Sequence, residues 1–104
     1  MTLAEFKELV LSFPGTVANP HFDRTAFKVE GKRIFTTLHE PSQSVNVKLN
    51  PADQAVFCTY NKSVVYPVPN KWGLQGWTTF ELAKVPRELM LDALDTAYKE
   101  LFEK

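Results

Sequence analysis

The chain has 104 residues with twelve basic and twelve acidic side chains, a formal net charge of zero, 44% hydrophobic residues and 23% charged ones. That length and balance fit one soluble globular domain around a single core, and they exclude a chain drawn onto nucleic acid or an anionic membrane by its overall charge. Cys58 is the single cysteine, which excludes an internal disulfide and a thiolate zinc site, and no apolar run approaches the ~20 residues of a membrane span.

The neutral total hides a segregation. Residues 24–84 carry eight bases (Arg24, Lys28, Lys32, Arg33, Lys48, Lys62, Lys71 and Lys84) against four acids, a net of +4, whereas residues 1–23 and 85–104 each carry −2. The first residues show no basic stretch followed by an apolar core and a cleavage site, so the expected location is cytoplasmic.

In chain order, Thr2 and Glu5 have capping-box spacing, and Leu3, Phe6, Leu9, Val10 and Phe13 recur on one helical face until Pro14-Gly15 stops them. Residues 16–24, with Asn19-Pro20, read as a loop crossing to a sheet. Thr25–Val29, Arg33–His39 and Ser44–Leu49 read as a three-stranded antiparallel meander, the first pair closed by Glu30-Gly31-Lys32. A two-residue turn there places Phe27, Val29, Ile34, Thr36 and Leu38 on one face, and Lys28, Arg33, Phe35 and His39 on the other. That second face is basic with an aromatic in it.

Asn50-Pro51 with Asp53 starts a short second helix, expected to end near Tyr60-Asn61. Ser63–Val68 is β-branched and extended, with Pro67 and Pro69 keeping it from the inside of a sheet. Both tryptophans and two of the four glycines fall in Asn70–Trp77, a stretch expected to form a rigid loop that leads into a strand at Trp77–Leu82. Pro86 then opens a closing helix with Met90, Ala93, Leu94, Ala97, Tyr98 and Leu101 on one face. The order α-β-β-β-α-β-β-α gives an α+β class: an antiparallel β-sheet with helices packed on one face.

Phe13-Pro14-Gly15, Phe27-Lys28-Val29-Glu30-Gly31-Lys32, Val47-Lys48-Leu49-Asn50-Pro51, the Pro67…Lys71-Trp72-Gly73…Gly76-Trp77 stretch and Ala97-Tyr98 occur in this order. In them nearly the whole chain resembles the MmcQ/YjbR family, small bacterial proteins often labelled DNA-binding. The resemblance implies a frataxin-like (CyaY-like) sandwich and a double-wing use of the sheet and its hairpins against DNA. It brings no catalytic residues. Many relatives have a cysteine near the end of the first helix, where this chain has Ser12 and Phe13, so no thiol chemistry carries over.

The residues themselves point the same way on chemistry. Two histidines and one cysteine, with no nucleophile elbow and no phosphate-binding glycine loop, do not make an enzyme site. His21 with Asp23, and His39 with Glu40, lack metal-ligand spacing, so neither a metal nor another cofactor is expected. Cys58 between Phe57 and Thr59 reads as a small buried hydrophobe.

Lys28, Arg33 and Lys48 on a sheet face, with Lys71 beside it, form a set that can neutralise phosphates while Phe35 or Trp72 stacks on a base. The functional expectation is non-specific DNA binding by a monomer or weak dimer. The alternative is an adaptor that binds a protein partner through the Trp72 loop, using Phe22, Trp72, Leu74 and Tyr66 as an apolar patch. Against both stands a plain reading, in which the lysines keep the sheet soluble and Trp77 belongs to the core.

Overall fold

The computed structural model describes residues 1–103. Helix α1 (Leu3–Leu11) starts as the capping box requires: Thr2 Oγ1 accepts from the Glu5 amide at 3.0 Å and Glu5 Oε1 from the Thr2 amide at 2.8 Å. Those bonds satisfy amides that the first turn leaves without partners, and they hold the Glu5 carboxyl below its ordinary pKa. The helix buries Phe6, Leu9 and Val10.

The next segment is not a loop. Strand β1 (Thr16–His21) pairs antiparallel with β2 (Arg24–Val29) over its whole length, from Thr16 opposite Val29 to His21 opposite Arg24. As an edge strand it is largely exposed and tolerates Pro20, so it lacks the apolar alternation that marks a half-buried strand. Phe22 and Asp23 turn the chain, with Phe22 at φ 60.

The meander of β2, β3 (Ile34–His39) and β4 (Ser44–Lys48) is present as expected. Its faces differ from the simple alternation. Phe27 pairs with Thr36, but Lys28 pairs with Ile34, so Phe35 is an extra residue in the ladder. Such a bulge puts consecutive side chains of one strand on the same side. Phe35 turns into the core, 1% exposed, where its ring meets Tyr98 edge to face at 5.9 Å. Ile34 takes the place opposite Lys28 that simple alternation assigns to Phe35.

Helix α2 (Pro51–Phe57) is capped by Asn50, whose Oδ1 accepts from the Asp53 amide at 2.8 Å, and it stops short of Tyr60. Strand β5 (Val65–Pro67) is a three-residue edge, as its prolines dictate. Asn70 then caps a single helical turn, α3 (Lys71–Leu74), in place of the expected loop. β6 (Trp77–Glu81) runs between β4 and β5, and α4 (Arg87–Glu100) closes the chain.

The six strands are all antiparallel in the order β1-β2-β3-β4-β6-β5. α4 lies over β3 and β4 and α1 against β1, enclosing a core that includes Phe27, Phe35, Leu38, Val45, Phe80 and Leu94. The result is the expected α+β sandwich with helices on one sheet face. No helix among the described residues is long and apolar enough to cross a membrane.

Candidate nucleic-acid interface on the open sheet face

Residues directly opposite one another in an antiparallel ladder share a face. One unbroken row on the side away from α1 and α4 runs Asn19, Ala26, Thr37, Asn46, Thr79, Tyr66 across all six strands. Lys28 with Ile34, and Lys48 with Trp77, flank that row on the same side.

Where β1, β2 and α3 rise around this face there is a cavity of ≈ 210 Å³, lined by His21, Arg24, Thr37, Asn46, Val68, Trp72 and Trp77. A second hollow of ≈ 240 Å³, lined by Asn19, Pro20, His21, Ala26, Lys28 and Ile34, shares His21 with the first. Together they form a trough along the open face.

The tryptophans reach this wall because the glycines beside them let two backbones touch. A Cβ on Gly73 would stand 1.9 Å from the Val68 carbonyl oxygen, and one on Gly76 would stand 1.7 Å from that of Leu49. Only glycine allows such approach. Trp72 is 50% exposed. Trp77 does not join the core as expected: its neighbours Thr78 and Phe80 take the buried side of β6, which sends the Trp77 ring to the open face.

Arg24 is a site residue that the sequence did not single out. Its Nε donates to Thr37 Oγ1 at 2.8 Å, while its Nη2 is buried with no partner among the described residues. Burial pushes the guanidinium below its ordinary pKa, with Asp23 opposing. A signal does exist: Arg24 and Lys28 lie four apart on β2, which puts both on one face of a strand.

The expected phosphate contacts are distributed unevenly. Lys28 lies on the open face and Arg33 is exposed in the turn before β3, neither of them in an ion pair among the described residues. Lys48 is on the open face, but its ammonium is engaged, donating to the Gln75 carbonyl at 2.8 Å and that of Leu49 at 3.1 Å. It ties β4 to the end of α3. Lys71 holds its ammonium 5.7 Å from the centre of the Trp72 ring. Phe35 is buried on the other side of the sheet, so Trp72 is left as the expected stacking residue that the open face presents.

Three acids around the sheet have side-chain partners, whereas Glu30, exposed in the turn after β2, has none among the described residues. Tyr66 Oη donates to Glu81, which pushes the phenol pKa up to about 12. Asp23 meets His39 Nε2 at 3.2 Å, and Glu40 meets Lys7 at 3.0 Å. No group of three or more His, Cys, Asp or Glu side chains suited to a metal ion occurs among the described residues. Cys58 is half-buried, and burial raises its thiol pKa.

Two solved structures share this architecture. The Deinococcus radiodurans protein DR2400, with a DUF419 domain, superposes at a TM-score of 0.82 and 19% identity, covering 99% of this chain and 80% of its own. A Pseudomonas syringae protein superposes at a TM-score of 0.75 and 12% identity, covering 97% of this chain and 99% of its own. At such identities the likeness is one of fold. No curated protein matches the chain. The YjbR family model matches residues 11–100, and the chain therefore belongs to the YjbR family.

Proposed function

We propose that the open sheet face binds nucleic acid, with affinity drawn mainly from the phosphate backbone. The observation that carries this reading is a trough holding two unpaired cations, Arg24 and Lys28, beside the half-exposed Trp72 ring, while nearby Asp23, Glu40 and Glu81 are held by partners. A cationic groove with an aromatic platform is the arrangement that follows a sugar–phosphate chain and stacks on its bases. Phe22 adds a second exposed ring at the tip of the β1–β2 hairpin, edge to face with His21 at 5.1 Å. The role is one of binding, with neither catalysis nor a cofactor.

Fluorescence anisotropy of a labelled oligonucleotide across a salt series tests this. Each phosphate neutralised contributes a slope of about −0.7 to −0.9 in log affinity against log salt. Arg24, Lys28 and Arg33 together predict a total of about −2 to −3, and Lys28→Ala should lower its magnitude by just under one. Absence of binding at low salt refutes the proposal.

A second reading has one observation in its favour: Leu74, 83% exposed, stands beside Trp72 on α3. An adaptor that docks a protein partner there would hold it with little response to salt.

A further inference from the structure

We infer that the cavity between Arg24 and the two tryptophans is a subsite for one unpaired base of a single strand, and that it favours bases with a keto edge. The inference rests on the nucleic-acid reading of the same face. It adds the strand form and the base chemistry.

The size sets the first limit. At ≈ 210 Å³ the cavity is smaller than the ~300–1,000 Å³ of pockets that enclose whole small-molecule ligands. It suits one ring system. A base stacked and paired inside a duplex cannot enter it, so occupancy demands a strand whose bases are free to turn out.

The walls set the second. Trp72, Trp77 and Val68 offer π faces and apolar surface, which suits a flat heterocycle better than a saturated ligand. The polar groups set the third: Arg24, Thr37 and Asn46 each offer a donor, and the His21 imidazole offers one donor and one acceptor. Arg24 is held in place through its Nε and keeps an unpartnered Nη2. Thr37 Oγ1 already accepts from Arg24, which leaves its hydroxyl proton to give. Asn46 Oδ1 accepts from Thr79 Oγ1 at 2.8 Å, so the Asn46 amide NH₂ is the part left over. A lining in which donors outnumber acceptors, with the Arg24 guanidinium as its one charged group, favours ring carbonyls over an exocyclic amine. Thymine, uracil and guanine present carbonyl oxygens where cytosine and adenine present an amine.

The test compares labelled strands of equal length and charge: oligothymidine, oligodeoxycytidine, and an abasic strand, plus a duplex. Stacking of one base predicts that oligothymidine binds at least about fivefold tighter than the abasic strand. It should also bind several-fold tighter than oligodeoxycytidine, the other pyrimidine strand. Arg24→Lys keeps the charge and removes the fork, so it should abolish the preference over oligodeoxycytidine while leaving the salt slope intact. Trp72→Ala, on an exposed turn, should shrink the preference over the abasic strand.

Equal affinity for intact and abasic strands, with ordinary salt dependence, overturns the subsite and leaves the electrostatic reading standing. A base preference that survives both variants also overturns it, because the base is then captured elsewhere. Failure of every strand and the duplex to bind refutes both readings.

Discussion

Gly76→Ala is the sharpest test of how the trough is built. Gly76 sits at φ +109, and a Cβ there would stand 1.7 Å from the Leu49 carbonyl oxygen, a backbone atom that no rotamer change can move aside. The Gly76 carbonyl also accepts from the Leu49 amide at 3.2 Å and from the buried Thr78 hydroxyl at 2.9 Å. Backbone strain of this kind costs about 1–3 kcal/mol. Separating the two segments by the ångström or more the methyl needs leaves buried donors without acceptors, at about 1–3 kcal/mol each.

A loss of about 3–5 kcal/mol follows, a large fraction of the roughly 5–15 kcal/mol that holds a domain of this kind together. Urea unfolding followed by tryptophan fluorescence would measure it, and the melting temperature should fall by at least about 12 °C. Gly31→Ala is the matched control, since Gly31 also has positive φ (+80) but meets nothing within 4 Å. It should cost only the about 1–2 kcal/mol of left-handed backbone. If Gly76→Ala proves no worse than Gly31→Ala, close approach to Leu49 does not shape this wall, and the tryptophans owe their position to something else.

Two further outcomes follow from single residues. Because the bond to Glu81 raises the Tyr66 pKa from 10.0 to about 12, the fold favours the protonated phenol, so its stabilisation is complete below the lower value and is lost as pH rises toward the upper one. Tyr66→Phe should flatten that alkaline decline in melting temperature, and an unchanged decline would mean the bond contributes nothing. Phe22, 96% exposed at φ 60, occupies a position better suited to Asn, so Phe22→Asn should raise stability by about 0.5–1 kcal/mol. The same change should weaken oligonucleotide binding in the anisotropy assay, and a variant that gains stability with unchanged affinity would remove Phe22 from the interface.

Elements whose signal is local are legible in the sequence. The Thr2–Glu5 box, the apolar faces of α1 and α4, the Asn50-Pro51 start and the alternation of Val45 and Val47 each combine a spacing with a residue preference. β1 is not, because an edge strand with Pro20 buries too little to pattern its sequence. Missing that strand also hides Arg24 and His21, which matter only once a strand stands beside β2. Simple alternation sends Ile34 and Phe35 to the wrong faces because one extra residue inverts the start of β3 against the rest of it, and nothing in Arg33–Thr36 announces a bulge. Lys48 shows the limit for site residues: its charge is plain, but its engagement with Gln75, 27 positions away, is a property of the fold.

The zero net charge argues against a polyanion partner, yet it averages over two faces that do not act together. Exposed charges are screened over about 8 Å at physiological salt, while layers of a sandwich lie about 10 Å apart. The acids of α1 and α4 lie on the helical side of the sheet, and the trough lies on the other. On the open side, Glu81 accepts from a tyrosine and Asp23 meets a histidine, so neither forms an ion pair with a lysine or an arginine among the described residues. Arg24 and Lys28 are cations of the trough that no ion pair among the described residues engages. With Lys48 and Lys71 beside them the open face carries more cations than acids (Glu30, Asp23 and Glu81), so the field that an approaching strand meets is positive. The same separation means that substitutions on α4 should leave oligonucleotide affinity unaltered at physiological salt, whereas loss of the single charge at Lys28 should not.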